Sequence, residues 1–239
     1  MDLSTLSNSL RDKIKYPSGM TPIETGILGS GFYPGCRGCS PPRSPVGGLM
    51  LLCRDFGTKT YYQSLIGLPP RDEFALPWRH TWEIYLSQGE PYSLCDLPVW
   101  CTNYLMGARD DGLAKGNIKD RFPLSAWLAY ETSCWDFLHQ QVLLQKPLVI
   151  VVFGGDNRSD LCVDARLGVS WNEDLRYTFR FCSKTHSAVI TFENHPHSLI
   201  TQTAKEAARR NLRRIRDLYF AEASRVTKRS AEAMRKALC

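Results

Sequence analysis

The sequence predicts a three-layer α/β/α domain built on a central four-stranded parallel sheet. Short apolar runs recur along the chain, at residues 48–53, 97–103, 148–153 and 188–192. They are continuous rather than alternating, as expected of strands buried on both faces. Longer stretches with helical spacing separate them, and strands alternating with helices form parallel sheets covered on both sides.

Taken in order, residues 1–46 read as a loop-rich extension and residues 47–239 as the domain itself. The extension holds one helix near residues 3–15, with Asp2 or Ser4 as its cap. A stretch punctuated by Gly29-Ser30-Gly31, Pro34-Gly35 and Pro41-Pro42 follows, which reads as a long loop. The first strand, 48–53, runs into Arg54-Asp55-Phe56-Gly57, and residues 59–67 and 81–88 read as helical pieces. After the second strand, Trp127, Leu128, Cys134, Phe137, Leu138 and Val142 mark a helix over 125–145. Pro147 stops it before the third strand. Residues 177–183 read as an extra strand or hairpin arm beside the fourth. The last segment, from residue 200 to 238, has neither Gly nor Pro and reads as one long helix.

Ligands of such sheets bind beyond the carboxyl ends of the strands. The polar residues standing there are Asp55, Asn103, Asp156 and His195. An Asp, an amide and a His suit hydrolysis at a sugar carbon. The carboxylate stabilises an oxocarbenium-like cation and positions water. The Asn side chain offers a donor and an acceptor to a pyrimidine edge. The His donates to an oxygen that gathers negative charge. Taken singly, an Asp after a strand equally serves as a helix cap, and a His before Pro serves as a structural residue.

The net charge of +6 is concentrated at one end. Residues 204–239 hold eleven Lys and Arg against four acids, so the rest of the chain is slightly acidic. A basic patch of this kind fits a polyanionic partner or a solvated helix face. No apolar leader opens the sequence and no run is long enough for a membrane span, so a soluble cytoplasmic or nuclear protein is expected, acting as a monomer. In a reducing compartment the nine cysteines are expected to be free thiols.

Together these segments resemble the uracil-DNA glycosylase superfamily, over about residues 47–215. Cys53-Arg54-Asp55-Phe56-Gly57 is similar to its first active-site motif, with Asp55 at the catalytic position. Phe74-Ala75-Leu76-Pro77, followed by Thr81-Trp82, resembles the stretch that supplies a stacking Phe. Thr102-Asn103-Tyr104-Leu105-Met106-Gly107 resembles the segment that supplies the base-reading Asn. Residues 131–155 are similar to the helix-then-strand block of the thermophile-type branch. His195-Pro196-His197-Ser198-Leu199 is similar to the second active-site motif. The resemblance implies a DNA glycosylase that flips a damaged or mispaired base, uracil by family default, out of DNA. It implies Asp55 and His195 as catalytic residues, and Phe74 and Asn103 as base-binding residues. His197, Ser198, Arg209 and Arg213 are then expected to contact the DNA.

This chain departs from the family at Cys53, where a Gly is usual, at Arg54 and Phe56, and at His197, which replaces a Ser. Those departures favour a second reading, a catalytically silent nucleic-acid-binding or interaction member of the same fold. A third reading, an unrelated α/β hydrolase, lacks its Gly-x-Ser-x-Gly elbow, and no phosphate-binding Gly-x-x-x-x-Gly-Lys loop is present. Cys36, Cys39 and Cys134 resemble three of the four ligands of the iron–sulfur branches. Gly107-Ala108-Arg109 stands where the remaining cysteine belongs, and Cys95 and Cys101 both precede Asn103. Neither an iron–sulfur cluster nor zinc is expected, and no cofactor.

Overall fold

A computed structural model describes residues 6, 9–23, 46–66, 94, 97, 99–113, 118–153, 170–171, 178–182, 186–193 and 202–238. The architecture is α/β. Strands β1 (Met20–Pro22), β2 (Leu49–Cys53), β3 (Val99–Asn103), β4 (Gly107–Arg109), β5 (Val149–Phe153), β6 (Ser170–Trp171), β7 (Thr178–Cys182) and β8 (Ser187–Glu193) form two sheets. Helices α1 (Leu10–Lys13), α2 (Lys59–Ile66), α3 (Leu124–Gln145) and α4 (Gln202–Leu238) accompany them.

The main sheet has six strands in the order β3-β2-β5-β8-β7-β6. Its first four are parallel, which is the expected four-stranded core. The sheet continues beyond it, because β7 turns back antiparallel along β8 and β6 pairs with β7. Thr178–Cys182, within the expected 177–183, is therefore the hairpin arm.

The sheet has an apolar side chain on each face at almost every step. Met50, Leu52, Ile150, Val152 and Ile190 point to one side and pack with Trp127, Phe137 and Leu138 of α3. Leu49, Leu51, Val149, Val151 and Val189 point to the other and pack with Leu212 and Ile215 of α4. β2 and β5 are buried at every residue, which is why their sequences run LMLLC and VIVVF without alternation. Helix α3 begins after Pro123 and ends at Lys146, whose left-handed backbone (φ 48) returns its N–H to the Val142 carbonyl. Pro147 then directs the chain into β5.

The N-terminal segment is less loop-like than its composition suggests. Leu6, Leu10, Ile14, Met20 and Ile23 are all buried in the core that contains α3, so packing runs across the expected boundary at residue 47. Among the described residues Leu6 is helical, and a further helical turn spans Leu10–Lys13, preceded by Ser9. The caps considered for it, Asp2 and Ser4, lie outside the described residues, as do residues 81–88. Strand β1 pairs with β4 over three residues, Met20 opposite Arg109. Periodicity cannot reveal a strand this short, and its last residue is a proline.

Candidate functional site at the carboxyl edge of the sheet

In chain order the parallel strands lie second, first, third, fourth. The order reverses between β2 and β5, and the cleft above such a reversal is where open α/β sheets bind ligands. Asp55 follows β2 directly, and Asn103 ends β3 beside it, with Cys53 and Asn103 paired in register.

The two strand ends continue as one hydrogen-bonded unit. Tyr104 N–H donates to the Cys53 carbonyl (3.0 Å), Leu105 N–H to that of Arg54 (2.9 Å) and Arg109 N–H to that of Gly57 (2.9 Å). Thr58 forms a further bridge with Arg109. The loop carrying Asp55 is thus fastened to the segment carrying Asn103. Gly57 has φ +76, a backbone that side chains rarely adopt, and a Cβ there would press on the Tyr61 ring at 3.1 Å.

Both carboxylate oxygens of Asp55 are engaged. Oδ1 accepts the Gly57 N–H at 2.8 Å. Oδ2 lies 3.3 Å from Arg109 Nε, and the two side chains are only 10% and 20% exposed. Sequence reasoning missed Arg109 as a partner of Asp55, having placed it only where a cluster cysteine would stand. The pairing arises because the β1–β4 sheet fixes the Arg109 backbone.

Asn103 is buried completely, and among the described residues neither its amide nitrogen nor its amide oxygen has a hydrogen-bond partner. Such a group is expensive unless something pairs with it. Its register places it on the α4 face, in one row with Cys53, Phe153 and Glu193 across the strand ends. Glu193 closes that row. Its carboxylate is held by Arg214 of α4, which also reaches Thr191 Oγ1 at 3.1 Å. Burial pushes the Glu193 carboxyl up from its ordinary value, and Arg214 opposes that shift. A lone acid ending an apolar run was the available signal for Glu193.

Beneath the Asp55 loop is a buried polar layer. Tyr16 Oη donates to the Met106 carbonyl at 2.6 Å, and Met106 N–H reaches Cys134 Sγ at 3.3 Å. Burial pushes the Cys134 thiol up to about 12, so it stands as a protonated thiol within the polar layer. The buried phenol of Tyr130 is raised as well, first by desolvation, then by Cys134, Tyr16 and, more weakly, Asp55. No group of three His, Cys, Asp or Glu side chains able to hold a metal occurs among the described residues. Cys36, Cys39 and Cys95 lie outside them.

Asp55 and Asn103 are therefore brought to neighbouring strand ends. His195, Phe74, His197, Ser198 and Asp156 lie outside the described residues. Arg209 lies on the first turns of α4 with its side chain undescribed, and Arg213 is exposed on the same helix. No helix among the described residues is long and apolar enough to cross a membrane.

The class of protein defined by this geometry is an α/β protein whose strand order reverses beside the strand ends that carry Asp55 and Asn103. No family model matches the chain, and no curated protein matches it.

Proposed function

We propose that the protein is a DNA glycosylase of the uracil-DNA glycosylase type, hydrolysing the N-glycosidic bond of a base flipped out of DNA. The observation that carries this reading is Asn103. An amide buried with no partner among the described residues, at the end of the strand beside the one that leads into the Asp55 loop, suits a site completed by a base edge.

In this chemistry the nucleotide leaves the stack at a cost of a few kcal/mol, least for a mispaired base. Phe74 stacks on it and recovers about 1–3 kcal/mol. Asn103 reads the pyrimidine edge with one donor and one acceptor. As the glycosidic bond stretches, positive charge grows on the sugar and negative charge on the base. Asp55, fixed by Gly57 N–H and Arg109, stabilises the sugar cation and orients water. His195, as a neutral donor, stabilises the departing base. Arg209 and Arg213, on the end of α4 nearest the carboxyl edge, contact phosphates, with His197 and Ser198. No cofactor is required, and the acting species is a monomer on DNA.

One observation favours the second reading, a silent nucleic-acid-binding member of the fold. Arg109 neutralises the carboxylate that should face the sugar cation. The test is a cleavage assay on oligonucleotides carrying uracil, hypoxanthine, xanthine or a thymine mismatch, followed by alkali. Cleavage by the wild type and its loss in Asp55→Ala are expected. Binding without cleavage of any substrate selects the silent module.

A further inference from the structure

Helix α4 spans 37 residues, roughly 55 Å at 1.5 Å per residue. Two side chains fix how it lies on the sheet. Arg214 holds Glu193 and Thr191, at the carboxyl end of β8. Arg225 pairs with Glu222 at 2.6 Å and reaches Ser187 Oγ at 3.4 Å, at the amino end of the same strand. The helix therefore runs antiparallel to β8. The eleven steps from Arg214 to Arg225 cover roughly 16 Å, close to the length of that strand. Everything after Arg225 lies past the amino edge of the sheet, at the end opposite Asp55 and Asn103.

Exposure agrees with this geometry. Leu212 and Ile215 are buried against the sheet, whereas every residue from 226 to 232 is exposed, two turns of helix with no covered face. Residues 226–238 carry Lys228, Arg229, Arg235 and Lys236 against Glu232 alone. The fold thus divides the basic segment in three. Arg210 and Arg213 are exposed near the carboxyl edge, Arg214 and Arg225 tie the helix to the body, and Lys228 and Arg229 ride on the overhang. Lys228 is roughly 20 Å along the helix from Arg214, more than two Debye lengths at physiological salt. The overhang is electrically a separate site.

We propose that this overhang is a second contact for the phosphate backbone of nucleic acid, distinct from the carboxyl-edge site. It rests on the reading of the protein as a nucleic-acid binder and not on catalysis. Its charge excess suits a polyanion, and its roughly 20 Å length matches about six phosphates along one strand. A second copy of the chain is a poor occupant. Lys228 and Arg229 are both exposed, and stacking two such helices would oppose like charges.

The test is the salt dependence of binding to a 24-nucleotide duplex and an 8-nucleotide one. Full-length protein is compared with a variant carrying Lys228→Gln, Arg229→Gln, Arg235→Gln and Lys236→Gln. Glutamine keeps the helix, which circular dichroism verifies. The slope of log Kd against log salt should fall by about 2–3 on the long duplex, with Kd rising about tenfold or more. The loss should be smaller on the short duplex. An unchanged slope overturns the proposal, whatever the cleavage assay shows. So does a variant that loses only self-association, or only binding to phosphatidylserine vesicles. A wild type that cleaves nothing, combined with the expected slope change, leaves this contact standing and removes the glycosylase.

Discussion

Arg109 Nε lies 3.3 Å from Asp55 Oδ2, joining a side chain from the β1–β4 sheet to the loop that follows β2. Neither residue is near the other in sequence. Removing the guanidinium leaves a largely covered carboxylate with only its Gly57 bond. Arg109→Ala should therefore lower stability by about 1–3 kcal/mol in urea unfolding. Asp55→Asn keeps the Gly57 contact and the shape, and should reduce glycosylase turnover about 100-fold or more with oligonucleotide binding intact. Wild-type turnover in Asp55→Asn would remove Asp55 from the chemistry.

The buried amide of Asn103 gives a different expectation. Asn103→Ala breaks no hydrogen bond within the described structure, so stability should change by less than about 1.5 kcal/mol. Discrimination between uracil and thymine should nevertheless relax by about tenfold or more. Thermal unfolding and competition between the two substrates measure these outcomes. A large loss of stability with unaltered discrimination would make Asn103 a structural residue.

Gly107 admits no side chain. An added Cβ would stand 2.8 Å from Tyr130 Oη and 2.9 Å from Met20 Cε. The Met tip can move, but the phenol is packed. Gly107→Ala should lose about 1–3 kcal/mol. Adding Tyr130→Phe should restore part of that, whereas the two changes would simply add if the phenol were not the obstacle.

His186 lies at the amino edge and binds the Pro147 carbonyl at 2.8 Å. Burial holds its pKa below the ordinary 6.5, opposed by the Pro147 bond and assisted by Lys146 and Arg225. A depressed histidine binds its proton less readily in the folded state. Its contribution is fully present above pH 6.5 and is lost as the pH falls from there through the folded pKa. Urea midpoints measured from pH 8 to pH 5 should fall more steeply for the wild type than for His186→Gln. Parallel curves would show that His186 does not titrate differently on folding.

The strands of the core were legible because burial on both faces writes itself as continuous apolar runs. Residues 48–53 became Leu49–Cys53, and 148–153 became Val149–Phe153. Helix α3 was legible from its periodicity and from Pro147. Strands β1 and β4 were not, because three residues carry no period and their pairing joins segments about ninety positions apart. The segment up to Ile23 was read as a short helix over 3–15 followed by loop, and its burial in the core was missed because Gly and Pro farther along dominated the composition.

The sequence by itself determined which residues stand at strand ends, since that follows from local runs and their terminators. Asp55 and Asn103 were found this way. Only the tertiary structure decided what each of them faces. The Arg109–Asp55 pair, the isolation of the Asn103 amide and the division of the α4 basic residues between ion pairs and overhang all depend on register between elements distant in the chain. Such contacts are set by how whole faces pack, and no local pattern encodes them.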